Sequence, residues 1–401
     1  MKREGFSIQH STFSIQHSPQ HNKRYNYLIT GAGAAGLSLL LRMIHSGEFN
    51  DKKILLVDKK PKINNDRTWC FWEKHTGFFE DVVYKRYEKL WFHGEGYSAL
   101  NEIGPYQYKL IRGIDFYAYC FDIIKQQSNI EIIYGDVTAI HSRGNDTYAV
   151  IDQQVVYCDF IFNSILFAKP ILKNKQFYLL QHFKGWLIET PGPSFIPGEA
   201  TFMDFRVSQT HGTSFVYVLP FSPSRALIEY TLFTPSLLEP AGYEKGLKEY
   251  ISKYLNIEKY EIIEEEFGII PMTNYSFRKH DHRIIYIGTA GGQTKPSSGY
   301  TFQFIQKQSG RIVEALKKTG EPYFSDPITD KRFALYDSTL LNILYHQKLP
   351  GDYIFTQLFR NNPMVDVLKF LDNETSIPEE MRLITVLPKR IFLKAALDQL
   401  F

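Results

Sequence analysis

The chain has 401 residues, 44% of them hydrophobic, and a formal net charge of +3. That length supports two structural lobes around a large core, and near-balanced charge without a long basic run excludes a nucleic-acid surface. Three widely spaced cysteines, Cys70, Cys120 and Cys158, form no C-x-x-C pair and read as buried reduced thiols. The aromatic share of 15%, with 31 Phe and 26 Tyr, suggests a ring-lined interior. The polar N-terminus argues against a signal peptide. The longest apolar stretches, such as 160–172, are broken by Asn163, Lys169 and Pro170 and are too short to span a bilayer.

FSIQHS at 6–11 recurs at 13–18, a short polar duplication expected to be a disordered, functionless leader over 1–23. The next stretch is the most informative. An apolar run at 27–30 enters GAGAAG, Gly31 to Gly36, and a leucine-rich helical pattern follows. A second apolar run at 54–57 ends in Asp58. Gly31 permits a tight turn, Gly33 lets backbone approach a pyrophosphate, and Gly36 lets helix pack on strand. The helix start at Ala34 and Ala35 offers free N–H groups and partial positive charge to phosphate. Asp58 falls where a carboxylate accepts a ribose diol. Together these predict a bound dinucleotide.

Residues 64–74, NNDRTWCFWEK, concentrate Arg67, Trp69, Phe71 and Trp72; core packing and a substrate-lining role are both open for the three rings. A Gly- and Tyr-rich segment follows, then a helix over 115–127 and strands over 131–138, 148–152 and 155–165. Strong alternation over 176–233, with turns at 191–193 and 222–224, reads as an inserted antiparallel sheet whose clearest hairpin joins 215–219 to 225–233. A helix at 235–256 and a strand at 261–271 precede a second strand-to-helix turn, with strand 283–288, turn 289–299 and helix 300–317. Only helices are expected from 323 onward. The expected fold class is α/β, a Rossmann-type domain over 24–170 and 266–320, an antiparallel insert over 171–265 and a helical region over 321–401.

The sequence has no metal-ligand histidine spacing, no G-x-S-x-G elbow and no phosphate loop of the G-x4-G-K-[ST] type. Acid–base chemistry beside a cofactor remains. Glu229 lies in RALIEYTLFT, where Leu227, Glu229 and Thr231 alternate with Ala226, Ile228 and Tyr230. Facing an apolar cavity, its carboxyl would be raised in pKa and serve as a proton donor. Otherwise it lies on a solvated strand face or forms a structural salt bridge with Arg225 or Arg206. The turn at 288–304 offers backbone N–H groups and Lys295 to a flavin ring or pyrophosphate, or is an ordinary glycine-rich loop.

The glycine unit, NDRTWCFWE at 65–73, ALIEYTLF at 226–233, GIIPM at 268–272 and the turn at 288–300 together resemble the bacterial-type lycopene β-cyclases, flavoproteins of the aromatic-hydroxylase-like fold. The resemblance runs from about residue 25 to the C-terminus. It implies an FAD site formed by Gly31, Gly33, Ala34, Ala35, Gly36, Asp58, Arg67 and Arg112 with Gly288, Gly291, Gly292, Pro296 and Gly299. It implies Glu229 as the catalytic acid or a cation-flanking carboxylate, and Trp69, Phe71, Trp72 and Tyr230 as substrate-lining. Where many members carry a second adjacent acid, this chain has Tyr230. Where the wider hydroxylase group carries Asp, it has Thr289.

The implied activity is redox-neutral closure of the ψ ends of lycopene to β-rings, through γ-carotene to β-carotene, with reduced FAD and NAD(P)H as reductant. A flavin-dependent hydroxylase, a polyprenyl reductase and a non-enzymatic flavin-binding carotenoid scaffold are the alternatives. Lycopene is bilayer-resident, so the resemblance implies cytoplasmic protein peripherally attached to the inner face of the membrane. The apolar face Phe392, Leu393, Ala396, Leu397 and Leu400, flanked by Lys389, Arg390 and Lys394, reads as an interfacial foot or as a stripe docked on the core.

Overall fold

The computed structural model describes residues 24–144, 146–325 and 328–400; the duplicated leader lies outside the described residues. The opening βαβ unit is β1 (Tyr25–Thr30), α1 (Ala34–Ser46) and β2 (Ile54–Asp58). The two strands run parallel, Leu28 opposite Leu55, and are apolar over 27–29 and 54–57 because both faces are covered there. α1 ends where Gly47 adopts the left-handed conformation and its N–H bonds back to Ile44.

β3 (Thr68–Glu73), β4 (Lys85–Tyr87), β5 (Lys89–Gly94), β6 (Tyr97–Glu102) and β7 (Gln107–Arg112) precede α2 (Gly113–Ile124). Four of these strands occupy the Gly- and Tyr-rich stretch to which sequence pattern assigns no element. β8 (Ile130–Tyr134), β9 (Val137–Arg143), β10 (Asp146–Ile151) and β11 (Gln154–Asn163) follow. The strand expected over 131–138 is thus divided between β8 and β9.

The second lobe comprises β12 (Tyr178–Glu189), β13 (Glu199–Asp204), β14 (Thr213–Pro220), β15 (Arg225–Thr234), α3 (Pro240–Leu255) and β16 (Glu261–Thr273). The chain then returns through β17 (His280–Asp281), β18 (Ile284–Tyr286) and α4 (Phe302–Thr319). α5 (Ile328–Tyr345), α6 (Gly351–Asn361), α7 (Met364–Leu371), α8 (Ile377–Ile384) and α9 (Lys389–Leu400) form the expected helical region.

One sheet is built on the parallel order β18-β11-β1-β2-β8. A second, seven-stranded sheet runs β16-β12-β15-β14-β13-β5-β6. It is antiparallel except where β13 pairs parallel with β5, so the insert sheet recruits two strands from before residue 171. β3, β7 and β4 make a small third sheet. α1 packs against α4 over a core that includes Leu37, Leu40, Ile305 and Ile312. On the outer face of the second sheet, α3 covers Trp186, Ile228 and Tyr230 with Leu247 and Tyr250, each such burial contributing about 1.5–3 kcal/mol. The inner face meets β3, β7 and the C-terminal helices around Trp72, Tyr108, Phe202 and Leu368.

Candidate active site

The two glycine-rich turns meet. A Cβ on Gly36 would collide with the carbonyl oxygen of Gly31, and one on Gly288 would fall 2.7 Å from the Cβ of Ala35. The short 3-10 turn Gly288–Gly291 is therefore seated on the first turn of α1. No side chain caps α1 and no acid occupies its first turn, so its N–H groups remain available to a phosphate. A Cβ on Gly33 would meet nothing within 4 Å, leaving the open approach that a pyrophosphate needs. Asp58, at the end of β2, accepts from the Ala32 N–H at 2.7 Å and pairs with Lys62 at 3.3 Å. These residues fit a dinucleotide.

Between this cleft and the second sheet lies a cavity of about 300 Å³, at the low end of ligand-site sizes, ~300–1,000 Å³. Arg67, Thr68, Trp69 and Cys70 form one wall; Gln181, Phe183, Tyr217, Glu229 and Thr231 form the other, with Gly299 and Tyr300 beside them. A smaller cavity adjoins it through Pro271, Thr289 and Thr294, and Gly291, Gly292 and Pro296 line that one. The second turn thus reaches from α1 to the cavity wall.

Strand alternation aims Glu229 inward. Its carboxyl is pushed well above the ordinary range, chiefly by burial and then by Glu266. Neither cation weighed for it is its partner: Arg225 pairs with Glu189 at 2.8 Å and Arg206 with Asp204 at 2.6 Å. Glu266 comes from β16, and its Oε2 accepts from the Thr68 hydroxyl at 3.0 Å. β12 lies between the two glutamates, with Gly185 opposite Glu229 on one side and Glu266 on the other. The surrounding Cys70, Tyr108, Tyr217 and Tyr300 are all raised, each chiefly by burial, and so stay neutral. The Tyr217 and Tyr300 hydroxyls lie 3.3 Å apart.

The structure separates the other expected site residues. Arg67 and Trp69 face the cavity. Phe71 instead stacks on Phe302 at 4.6 Å, and Trp72 is buried with its indole N–H on the Leu368 carbonyl. Both rings back the wall rather than line it. Tyr230 is a correction of the same kind: it points to the outer face, where its ring lies 2.7 Å from the place of a Cβ on Gly246 in α3. Arg112 is held bidentately by Asp115 at 2.6 and 2.8 Å, stacks on Tyr84 and opens onto a side groove with Glu266. Lys295 is buried away from the cleft, bonded to Asp337 at 2.9 Å and Asn373 at 2.7 Å. Cys70 is half-buried on the cavity wall, whereas Cys120 and Cys158 are buried, and all three are free thiols. Sequence reasoning missed Glu266 and Gly185: an acidic run on an edge strand looks solvated, and only strand register reveals what it faces.

A family model described as lycopene cyclase protein matches residues 27–397. The chain belongs to the lycopene cyclase family. It is 24% identical over 298 residues to a lycopene beta-cyclase of Pantoea ananas, covering 72% of this chain and 74% of that protein. It is 25% identical over 226 residues to a lycopene beta-cyclase of a Paracoccus species, covering 52% of this chain. The chain spans 56% of that relative's length. Among solved structures, a flavoprotein/dehydrogenase from Cytophaga hutchinsonii aligns with a TM-score of 0.60 at 13% identity, over 94% of this chain and 99% of that one. A geranylgeranyl bacteriochlorophyll reductase-like protein from Thermoplasma acidophilum aligns at 0.58 and 11%, over 93% and 96%. p-Nitrophenol 4-monooxygenase from Pseudomonas putida aligns at 0.58 and 13%, over 94% and 98%. These likenesses establish the flavoprotein fold: a Rossmann-type domain carrying an inserted sheet and a helical C-terminal region.

The expected foot in α9 divides. Phe392 and Ala396 are half-buried, Phe392 against a cluster with Ile343, Ile354 and the neighbouring Ala395, whereas Leu393, Leu397 and Leu400 are exposed. Among the described residues no helix is long and apolar enough to cross a membrane.

Proposed function

We propose that this protein is a lycopene β-cyclase that closes both ψ ends of lycopene without net redox change. The observation that carries the reading is Glu229: a carboxyl facing an aromatic-lined cavity beside the dinucleotide cleft, pushed toward its protonated form by burial, in a chain of the lycopene cyclase family.

Glu229 gives its proton to C2 of the terminal double bond, leaving a tertiary cation at C1. The C5–C6 double bond closes the ring between C6 and C1, the cation moves to C5, and a proton leaves C6. Substrate and product are isomers. Trp69, Tyr217 and Tyr300 line the cavity and would offer aromatic faces to the cation, and the bound substrate would displace the water that could trap it as an alcohol. Gly31 to Gly36, with the Gly288–Gly291 turn, would hold FAD, whose reduced anionic form supplies negative charge for the cationic intermediate when bound. NAD(P)H is the proposed source of its electrons.

The substrate's insolubility calls for contact with a membrane surface, and the exposed Leu393, Leu397 and Leu400 beside Lys394 suit that contact. The test is turnover of lycopene in liposomes by purified protein with reduced FAD. Cyclic products of unchanged mass, with NAD(P)H not consumed in step with product, support the cyclase. Consumption stoichiometric with a product of altered mass would instead identify a hydroxylase or polyprenyl reductase.

A further inference from the structure

We propose that Glu266 is the second carboxyl of this site, sharing one proton with Glu229 across Gly185 and carrying the pair's negative charge. The proposal deepens the cyclase reading and rests on it for its chemistry, though not for its geometry.

Four observations support it. Glu229 and Glu266 sit on strands that flank β12 on opposite sides, both opposite Gly185. A Cβ at Gly185 would lie 2.8 Å from Cγ of Glu266 and 3.1 Å from Cγ of Glu229. The missing side chain is the gap through which the two carboxyls come within hydrogen-bonding reach. Oε1 of Glu266 is buried and receives no hydrogen bond from any donor among the described residues, while Oε2 is held by Thr68. Buried acceptors are rarely left unpaired, and a proton on Glu229 supplies the absent donor. Like charges this close cannot both ionise, so one proton stays on the pair.

The other charged groups nearby are committed elsewhere. Arg67 is paired with Asp66 at 3.3 Å, Arg112 with Asp115 at 2.6 Å, and Lys184 with Glu265 and Glu244 at 3.0 and 3.1 Å. Glu264 accepts from Asn65 at 3.2 Å. Cys70 from β3, Tyr108 from β7, Tyr217 from β14 and Tyr300 are neutral, as above. No cation among these neutralises Glu266, so its charge acts on Glu229. The pair gives one proton to the alkene and regains one when the ring loses its C6 proton, so its proton count is restored each turnover. This supplies from β16 the second acid that is absent at position 230.

The experiment is a pH titration of the protonated-carboxyl infrared band of the purified protein, taken as wild type minus Glu229→Gln. It is repeated in Glu266→Gln and, as a second route, in Gly185→Ala, which separates the carboxyls without removing either. The expected result is a Glu229 midpoint at least about one unit lower in both variants, a tenfold loss of proton affinity. The alkaline limb of ring formation should move by the same amount. A midpoint unmoved in a folded Glu266→Gln protein, or moved upward, overturns the pair. Because the band reports protonation without substrate, a shifted midpoint in a protein that leaves lycopene unchanged would retain the pair and reject the cyclase reading.

Discussion

Glu229 and Glu266 stand on strands that do not pair with each other, yet both lie opposite Gly185, where a Cβ would fall 3.1 Å from Cγ of Glu229 and 2.8 Å from Cγ of Glu266. Removing the proton donor of that pair is the most direct intervention. Glu229→Gln should lower ring formation by at least about 100-fold, the lower bound for a positioned general acid, with flavin content and melting temperature retained. Pigment chromatography beside a flavin absorbance spectrum checks both halves.

The glycines of the dinucleotide cleft should separate into two classes. At Gly33 a side chain enters open space, so Gly33→Val should fold normally and lose flavin. At Gly36 it strikes the Gly31 carbonyl oxygen, so Gly36→Val should lose both flavin and thermal stability. Flavin-to-protein absorbance ratios and thermal melts distinguish the two.

The buried ion pair Lys295–Asp337 ties the second glycine turn to α5, and Ser297 adds a hydrogen bond to the same carboxylate. Asp337→Asn leaves a buried ammonium without its counter-charge and should cost about 3–5 kcal/mol. Replacing both, as Lys295→Met with Asp337→Leu, should recover most of that loss. Urea unfolding of the single and double variants measures the difference.

Asp372 is raised to about 6, chiefly by burial, with Lys307 opposing the shift and Glu374 adding to it. Its folded pKa exceeds its unfolded value, so the native state binds more protons between about pH 4 and pH 6 and stability falls as pH rises through that window. Relative to Asp372→Asn, the wild type should lose about 2–3 kcal/mol across it. Urea midpoints at pH 4 and pH 7 test the sign; a difference that grows in the wild type's favour would contradict it.

The first βαβ unit, the β14–β15 hairpin and the return through Gly288 were legible in sequence because glycine spacing and alternation are local signals. The strands over 85–112 were not, because they are short and two of them, β5 on β13 and β6 on β5, extend a sheet mostly formed much later in the chain. In the site, alternation separates Glu229 from Tyr230 but does not say which face meets the cavity; the family resemblance is what singles out Glu229. The same alternation puts Tyr230 on the α3 face, so Glu229 and Tyr230 cannot both line the cavity. Glu266 was hidden because its neighbours Glu264 and Glu265 are exposed, and a run of three acids looks uniform until register distinguishes them. Lys295 misled for a related reason: a lysine in a glycine-rich turn looks available to phosphate, and only the distant α5 supplies the Asp337 that claims it.

The proposed reading has Glu229 drive the isomerisation of lycopene. The measurement that tests it most directly is pigment chromatography of lycopene-accumulating bacterial cells expressing wild type or Glu229→Gln. Wild-type protein should yield γ- and β-carotene of unchanged mass, and the variant should leave lycopene alone despite retained flavin. Lycopene persisting beside folded, flavin-loaded wild-type protein, or equal conversion by the variant, would contradict it.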